Sequence, residues 1–292
     1  MRRQRLIGFA TTLVLAMGAM TIAPVAASPA SGTVSTGIYV ALGDSYTAAP
    51  LVPTPILSSK GCLRSTHDYP HLVAAMSHAT ALRDASCSGA DTSDMTNTQG
   101  VLGGANPPQL NNLASNTGVV TLEIGGNDIG FVSILLSCAS VVPWGSRCKG
   151  KYVKNGDDKL SDAINAAAPK IGAVIDAIHT RAPHARVFVI GYPAILPDSG
   201  NGCWPTMPLA KGDVPYLRSK EQQLDTTIKA QAGAHHATYV DVYTPSIGHD
   251  ACSGYAKRWI EPLVPLHPAA PVHPNGGGEQ GMANALHAAI GG

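Results

Sequence analysis

Bulky aromatics, charge and long apolar runs are all scarce in this chain. Only 3 Phe and 3 Trp occur among 292 residues, and Asp, Glu, Lys and Arg together make 13%. With 45% hydrophobic residues, so little charge excludes a disordered, self-repelling chain. The formal net charge of +1 argues against a nucleic-acid partner. No two cysteines stand at C-x-x-C spacing and no H-E-x-x-H occurs, so the common zinc signatures are missing and no metal or other cofactor is expected. The G-x-S-x-G turn of the α/β-hydrolases is absent as well. Gly145 to Lys151 imitates a phosphate-binding G-x-x-x-x-G-K, but Tyr152 stands where Ser or Thr must bind magnesium. His235-His236 reads as an exposed helix end rather than a metal site. No internal repeat or linker divides the chain.

The one long apolar run is at the start. Arg2, Arg3 and Arg5 precede an apolar stretch from Leu6 to about Ile22, and Val25-Ala26-Ala27 offers small residues for cleavage. Residues 1–27 are therefore expected to be a signal peptide, with an uncleaved anchor as the rival reading. The run is too short and too rich in Gly, Ala and Thr for a firm membrane span. Losing it removes three arginines and no acid, taking the formal charge to −2. The expected product, residues 28–292, is one secreted, monomeric domain with no stable membrane span.

Six cysteines lie in that product: Cys62, Cys87, Cys138, Cys148, Cys203 and Cys252. An even count in an exported chain reads as disulfides. Six cysteines allow 15 connectivities and spacing selects none of them. Pairing in sequence order is the working expectation.

Five apolar runs read as buried strands: 38–42, a weak 80–84, 119–124, 186–191 and 238–242. Helical spacing lies between them, most clearly at Leu160, Ile164, Ala168, Ile171, Ile175 and Ile178. Pro169 predicts a kink there or two helices end to end. Segments 69–77, 216–234 and 279–290 are further helix candidates. Strands alternating with helices predict a parallel sheet covered on both faces. The connections 48–66, 135–157 and 193–214 are unusually long, which points to functional or stapled loops.

Four short segments carry chemistry. Gly43-Asp44-Ser45-Tyr46 follows the first strand, so the Ser45 hydroxyl sits at the carboxyl edge of the sheet, where open α/β folds keep their ligand sites. Gly89, after the second strand, lets a backbone N–H approach a ligand closely. Gly125-Gly126-Asn127-Asp128 follows the strongest strand and offers the Asn127 amide as a donor, with Asp128 read as a local cap. His273-Pro274-Asn275 lies on a loop before the last helix, within possible reach of a strand-end serine. Each segment alone has an ordinary reading as a turn, cap or surface residue.

Together and in this order they resemble the SGNH hydrolases, also called the GDSL esterase and lipase family, and within it the secreted actinobacterial esterases and lipases. The resemblance runs from Gly43 to Asn275. It implies a flavodoxin-like, three-layer α/β/α sandwich around a five-stranded parallel sheet. It also implies Ser45 as nucleophile and His273 as general base. The Ser45 N–H, the Gly89 N–H and the Asn127 amide would then form an oxyanion hole.

One position departs from the family. Many members carry aspartate three residues before the histidine, whereas this chain has Ala270. Some of the secreted actinobacterial relatives orient the imidazole with a main-chain carbonyl from this stretch, so the Ala270 carbonyl is expected to do so here. His267-Pro268 competes with His273-Pro274, but Asn275, Gly278, Met282 and Ala283 follow His273 with the family's spacing. The implied substrate is a lipid or other small acyl ester. Leu51, Val52, Ile56, Ile134, Leu135 and Val142 are expected to make an acyl channel apolar. A carbohydrate or cell-wall deacetylase on the same machinery is the second reading, and a non-catalytic exported binding protein the third.

Overall fold

Five strand-forming runs meet in one parallel sheet. The computed structural model describes residues 37–291, so the expected leader at 1–27 lies outside the described residues. The strands are β1 (Ile38–Gly43), β2 (Ala81–Asp84), β3 (Thr117–Glu123), β4 (Arg186–Ile190) and β5 (Thr238–Val240), in spatial order β2-β1-β3-β4-β5. Every pairing is parallel. This order reverses direction between β1 and β3, and the crevice beyond that switch point is where such sheets hold ligands.

Side chains alternate across the sheet. Val40 and Leu42 join the core on one face, while Tyr39 and Ala41 join the core on the other. The first face is covered by α5 (Lys159–Arg181) and α6 (Val214–Ala234), and the second by α2 (Tyr69–Met76) and α8 (Gly276–Ile290). Four short helices lie on the connections: α1 (Ser45–Ala48), α3 (Phe131–Ser137), α4 (Arg147–Tyr152) and α7 (Tyr243–Ser246). The architecture is the expected three-layer α/β/α sandwich. Among the described residues, no helix is long and apolar enough to cross a membrane.

Pro169 does not divide its helix, because α5 runs through it without interruption. The ring lies on the exposed side, where the carbonyl of Asn165 that loses its partner can take water instead. Asp158 starts the helix by accepting from Leu160 N and Ser161 N. Two small hairpins had no sequence signal, Gln99–Val101 with Gly104–Asn106 and Val153–Lys154 with Asp157–Asp158.

The cysteines pair in sequence order, Cys62–Cys87, Cys138–Cys148 and Cys203–Cys252. Each bridge fastens one of the long connections, and Cys203–Cys252 spans 49 positions. A closed loop of that length restricts the unfolded chain enough to contribute about 4 kcal/mol. Urea unfolding of the Cys203→Ser/Cys252→Ser variant should show a loss of that size, with a steeper slope because the uncrosslinked unfolded chain exposes more surface. A loss under about 1 kcal/mol would remove this bridge from the stability account.

Candidate active site

The site is assembled from the ends of β1, β2 and β3 and from the loop before α8. β1 stops at Gly43, which the Gln109 side chain grips from both sides, accepting from its N–H at 2.8 Å and donating to its carbonyl at 2.9 Å. Asp44 then caps α1 by accepting from Tyr46 N at 2.9 Å. Ser45 becomes the first residue of that helix, where its N–H has no intrahelical acceptor. It is 8% exposed, just enough to be reached.

His273 meets it directly, with Nε2 2.7 Å from Ser45 Oγ. The orienting carbonyl is that of Pro271, 2.7 Å from Nδ1, and not that of Ala270. The reason is local. The Ala270 carbonyl already accepts the His273 backbone N–H at 3.2 Å, closing a turn over Pro271 and Val272. Val272 sits at φ 57° in that turn, and the next carbonyl faces the ring. A carbonyl can only accept, so Nδ1 carries the proton and Nε2 is left to accept from the serine hydroxyl. Burial of the imidazole holds its pKa below the usual 6.5, and the Pro271 bond only partly opposes this.

His267 is not at the site. Its Nδ1 lies 2.6 Å from Glu261 Oε1, and its ring stacks on Tyr255 at 3.9 Å between centroids. Glu261 is a residue that the sequence reading missed, and no local motif marks it. Its fully buried carboxylate accepts from Leu266 N, His267 N and Asn275 Nδ2, at 2.7, 3.1 and 2.8 Å. Burial alone would push its pKa up, but these donors and His267 bring it below the usual carboxylate range. Its backbone brackets the imidazole: Glu261 N donates to His273 O and Val272 N to Glu261 O, both at 3.0 Å. Tyr46 adds a tie from the serine side, its hydroxyl donating to Val272 O at 2.6 Å. The chain has a buried carboxylate near its histidine after all, but it braces the loop and does not touch the ring.

Gly89 and Asn127 converge on the same strand ends. The β1–β2 ladder continues upward through Cys87 N to Gly43 O at 3.0 Å, which leaves Gly89 just above it. Gly89 adopts φ 82°, a conformation open to glycine, and among the described residues its N–H has no protein acceptor. Asn127 Nδ2 donates to Ala90 O at 2.9 Å, leaving the second amide hydrogen for a ligand. Asp128 is more than the local cap expected. Its carboxylate accepts from Thr92 N and Thr92 Oγ1 at 3.0 and 2.5 Å, stitching the Asn127 turn to the Gly89 turn. Tyr192, also missed, makes a third stitch by donating to Asp44 Oδ2 at 2.6 Å and accepting from Gly126 N at 2.9 Å. A Cβ on Gly126 would fall 2.9 Å from that hydroxyl, so the contact requires glycine.

Behind Ser45 opens a narrow, mostly apolar slot whose enclosed volume is only about 20 Å³, room for about one water. Its walls are Phe131, Val132, Tyr192, Ile195 and Leu224, with Glu221 among the lining residues. None of the six residues expected to form an acyl channel lines it. Leu135 and Ile134 belong to the core, Val52 packs with Ala49 and Ala269, and Leu51 is exposed. α3, α6 and the segment after β4 that holds Tyr192 and Ile195 supply the slot in place of the loops 50–66 and 135–157. For a metal, the described residues offer one cluster, Asp68, His71 and Asp84, whose ligand atoms lie within 4.8 Å of one another. Burial pushes the Asp84 pKa up and the Arg64 charge only partly opposes this; Arg64 also donates to the Asp84 backbone, and its charge opposes a cation there. His235 bonds Asp176 at 2.8 Å and belongs to no such cluster.

A strand-end serine bonded to a neutral imidazole, beside unpaired donors and an apolar slot, fits the class of hydrolases that work through an activated serine. Comparison with known proteins gives the family. The profile of the GDSL-like lipase/acylhydrolase family matches residues 41–280, and the chain belongs to that family. It is 42% identical to "Lipase 2" of Streptomyces coelicolor over 281 residues, covering 92% of this chain and 90% of that relative. The crystal structure of phospholipase A1 from Streptomyces albidoflavus is similar at TM-score 0.72 and 27% identity, over 86% of this chain and 98% of its own. An extracellular lipase from Streptomyces rimosus is similar at TM-score 0.71 and 30% identity, over 86% and 99%. With relatives named lipase and esterase, the chain is a carboxylic ester hydrolase.

Two outcomes follow for the histidines. His273→Ala should lower kcat on a soluble ester by about 10²–10⁴-fold, while His267→Ala stays within about tenfold of wild type. The reverse ranking would relocate the base. Because the folded His273 pKa lies below 6.5, kcat/KM should rise with pH through a midpoint below 6.5 and be flat above it. A midpoint above 7 would show that the imidazole is not governed by burial.

Proposed function

We propose that the protein is an exported serine esterase that cleaves acyl lipids through an acyl-enzyme. The observation that carries this reading is the 2.7 Å contact between Ser45 Oγ and His273 Nε2 at the mouth of an apolar slot. His273 Nε2 takes the hydroxyl proton as Oγ attacks the ester carbonyl. The Ser45 N–H, the Gly89 N–H and the free Asn127 amide hydrogen receive the negative charge that develops on the carbonyl oxygen. Collapse breaks the ester C–O bond, and the imidazolium returns its proton to the leaving alkoxide. Water repeats the sequence on the acyl-enzyme and frees the acid. The Pro271 carbonyl fixes the tautomer throughout and lends the imidazolium only a partial charge.

The almost wholly apolar walls of the slot favour an acyl group over a polar one, and an acyl chain would have to widen it on entering. The names of the similar proteins, lipase and phospholipase A1, point the same way. Export is supported by the leader pattern at residues 1–27 and by three disulfides, which persist in oxidising compartments.

Purified protein should be labelled covalently by a fluorophosphonate, and Ser45→Ala should abolish labelling and lower kcat on the order of 10⁶-fold. Asn127→Ala should cost roughly 10²–10³-fold in kcat. Activity on p-nitrophenyl esters is expected to extend beyond butyrate. A profile confined to acetate would replace the lipid reading with deacetylation.

A further inference from the structure

The two longest connections are clasped together beside the slot. Ser140 N donates to Pro208 O, Lys211 N to Pro143 O and Gly212 N to Gly145 O, at 2.5, 2.9 and 3.0 Å. Trp204 Nε1 donates to Ser140 O at 3.0 Å, and a bridge pairs Ala139 with Leu209. Cys138–Cys148 closes one loop and Cys203–Cys252 anchors the other. This is an ordered platform. Its tip nevertheless holds large apolar side chains in water, Val141 at 92% and Trp144 at 70% exposure, flanked by Leu136 and Trp204.

Charge is distributed just as unevenly. From Ile129 to Gly156 the chain carries Arg147, Lys149, Lys151 and Lys154 and no carboxylate. The nearest acids are Asp157, opposite Lys154 in the hairpin, and the buried Asp213 that accepts from Cys148 N and Lys149 N. All four cations are exposed, and among the described residues none takes part in an ion pair. Lys151 reaches Ser137 Oγ at 3.3 Å, which sets its ammonium beside Leu136. Lys211 joins from the second loop, next to Pro143 and Trp144. An apolar tip ringed by unpaired cations matches an anionic lipid interface, where the apolar groups enter the acyl boundary and the cations meet headgroup phosphates.

The platform is continuous with the slot. Phe131 and Val132, on the first turn of α3, line the slot, and the same helix ends at Leu136 and Ser137. Seven residues of helix span about 10 Å, roughly the depth of a headgroup layer. A lipid held at the tip would therefore lie one short helix away from Ser45.

We infer that the clasped loops 136–154 and 203–212 dock the protein on an anionic lipid surface, with Val141 and Trp144 inserted and the cations of residues 147–154 on the headgroups. The inference rests on the acyl-lipid reading of the active site and adds to it how the substrate is approached. Purified protein should co-sediment with phosphatidylglycerol/phosphatidylcholine vesicles at low salt, less with pure phosphatidylcholine, and less again in 0.5 M salt, about the range where screening is nearly complete. Val141→Ser/Trp144→Ser should weaken partitioning by at least about tenfold. Each of Arg147→Gln, Lys149→Gln and Lys154→Gln should weaken it by about fivefold. All these variants should cleave a soluble p-nitrophenyl ester at the wild-type rate, which establishes an intact fold. Partitioning unchanged in the variants, or insensitive to salt, would overturn the docking surface. Cleavage of a monomeric short-chain phospholipid by protein that ignores vesicles would also overturn it, while leaving the substrate reading intact. Vesicle binding lost in the variants, but with no phospholipid cleaved by wild type, would uphold docking and sink the substrate reading instead.

Discussion

The site depends on keeping one buried imidazole neutral, with its proton on Nδ1. Only that form lets Nε2 accept from Ser45, and the Pro271 carbonyl selects it by being unable to donate. A carbonyl brings no formal charge into the site, so the imidazole remains easy to keep unprotonated in a buried setting. The cost is that the loop must be held in place by other means. Glu261 provides most of that restraint, gathering four donors from the loop and bonding the backbone at Val272 N and His273 O.

The donors proposed for the oxyanion are held in a similar way. They stand on turns after β1, β2 and β3, at the switch point where the strand order leaves a crevice. Turns of this kind would wander if they were tied only to their own strands. Asp128 to Thr92, Asn127 to Ala90 and Asp44 through Tyr192 to Gly126 cross-link them. Donors fixed before the substrate arrives need no reorganisation when charge develops.

Much of this was legible in the residues. β1 is buried on both faces and so appears as an apolar run, and β3 is buried likewise although Thr121 and Glu123 interrupt its run. Ser45, Asn127 and His273 lie at the strand ends and loop where they were sought. β2 is an edge strand with alternating exposure, which is why its signal was weak. The orienting carbonyl was misplaced by one residue. Every residue has a carbonyl, and which one faces the ring depends on the turn closed by Ala270 and on the conformation of Val272, neither of which residue type reveals. Glu261 was invisible for a related reason, since its partners are mostly backbone groups at separations set by loop shape. The slot was sought in the long loops because their apolar residues looked surplus. Its walls instead belong to the sheet-side faces of α3 and α6 and to the turn after β4, whose residues read simply as core.

The main-chain acceptor at Pro271 also changes what evolution and mutagenesis can see. A carboxylate partner can be deleted by one codon change, and its loss registers at once. A peptide carbonyl survives replacement of its own side chain, so residues 270 and 271 are free to drift so long as the turn keeps its shape. An alanine scan across this loop would report one indispensable histidine and overlook the group that gives it direction.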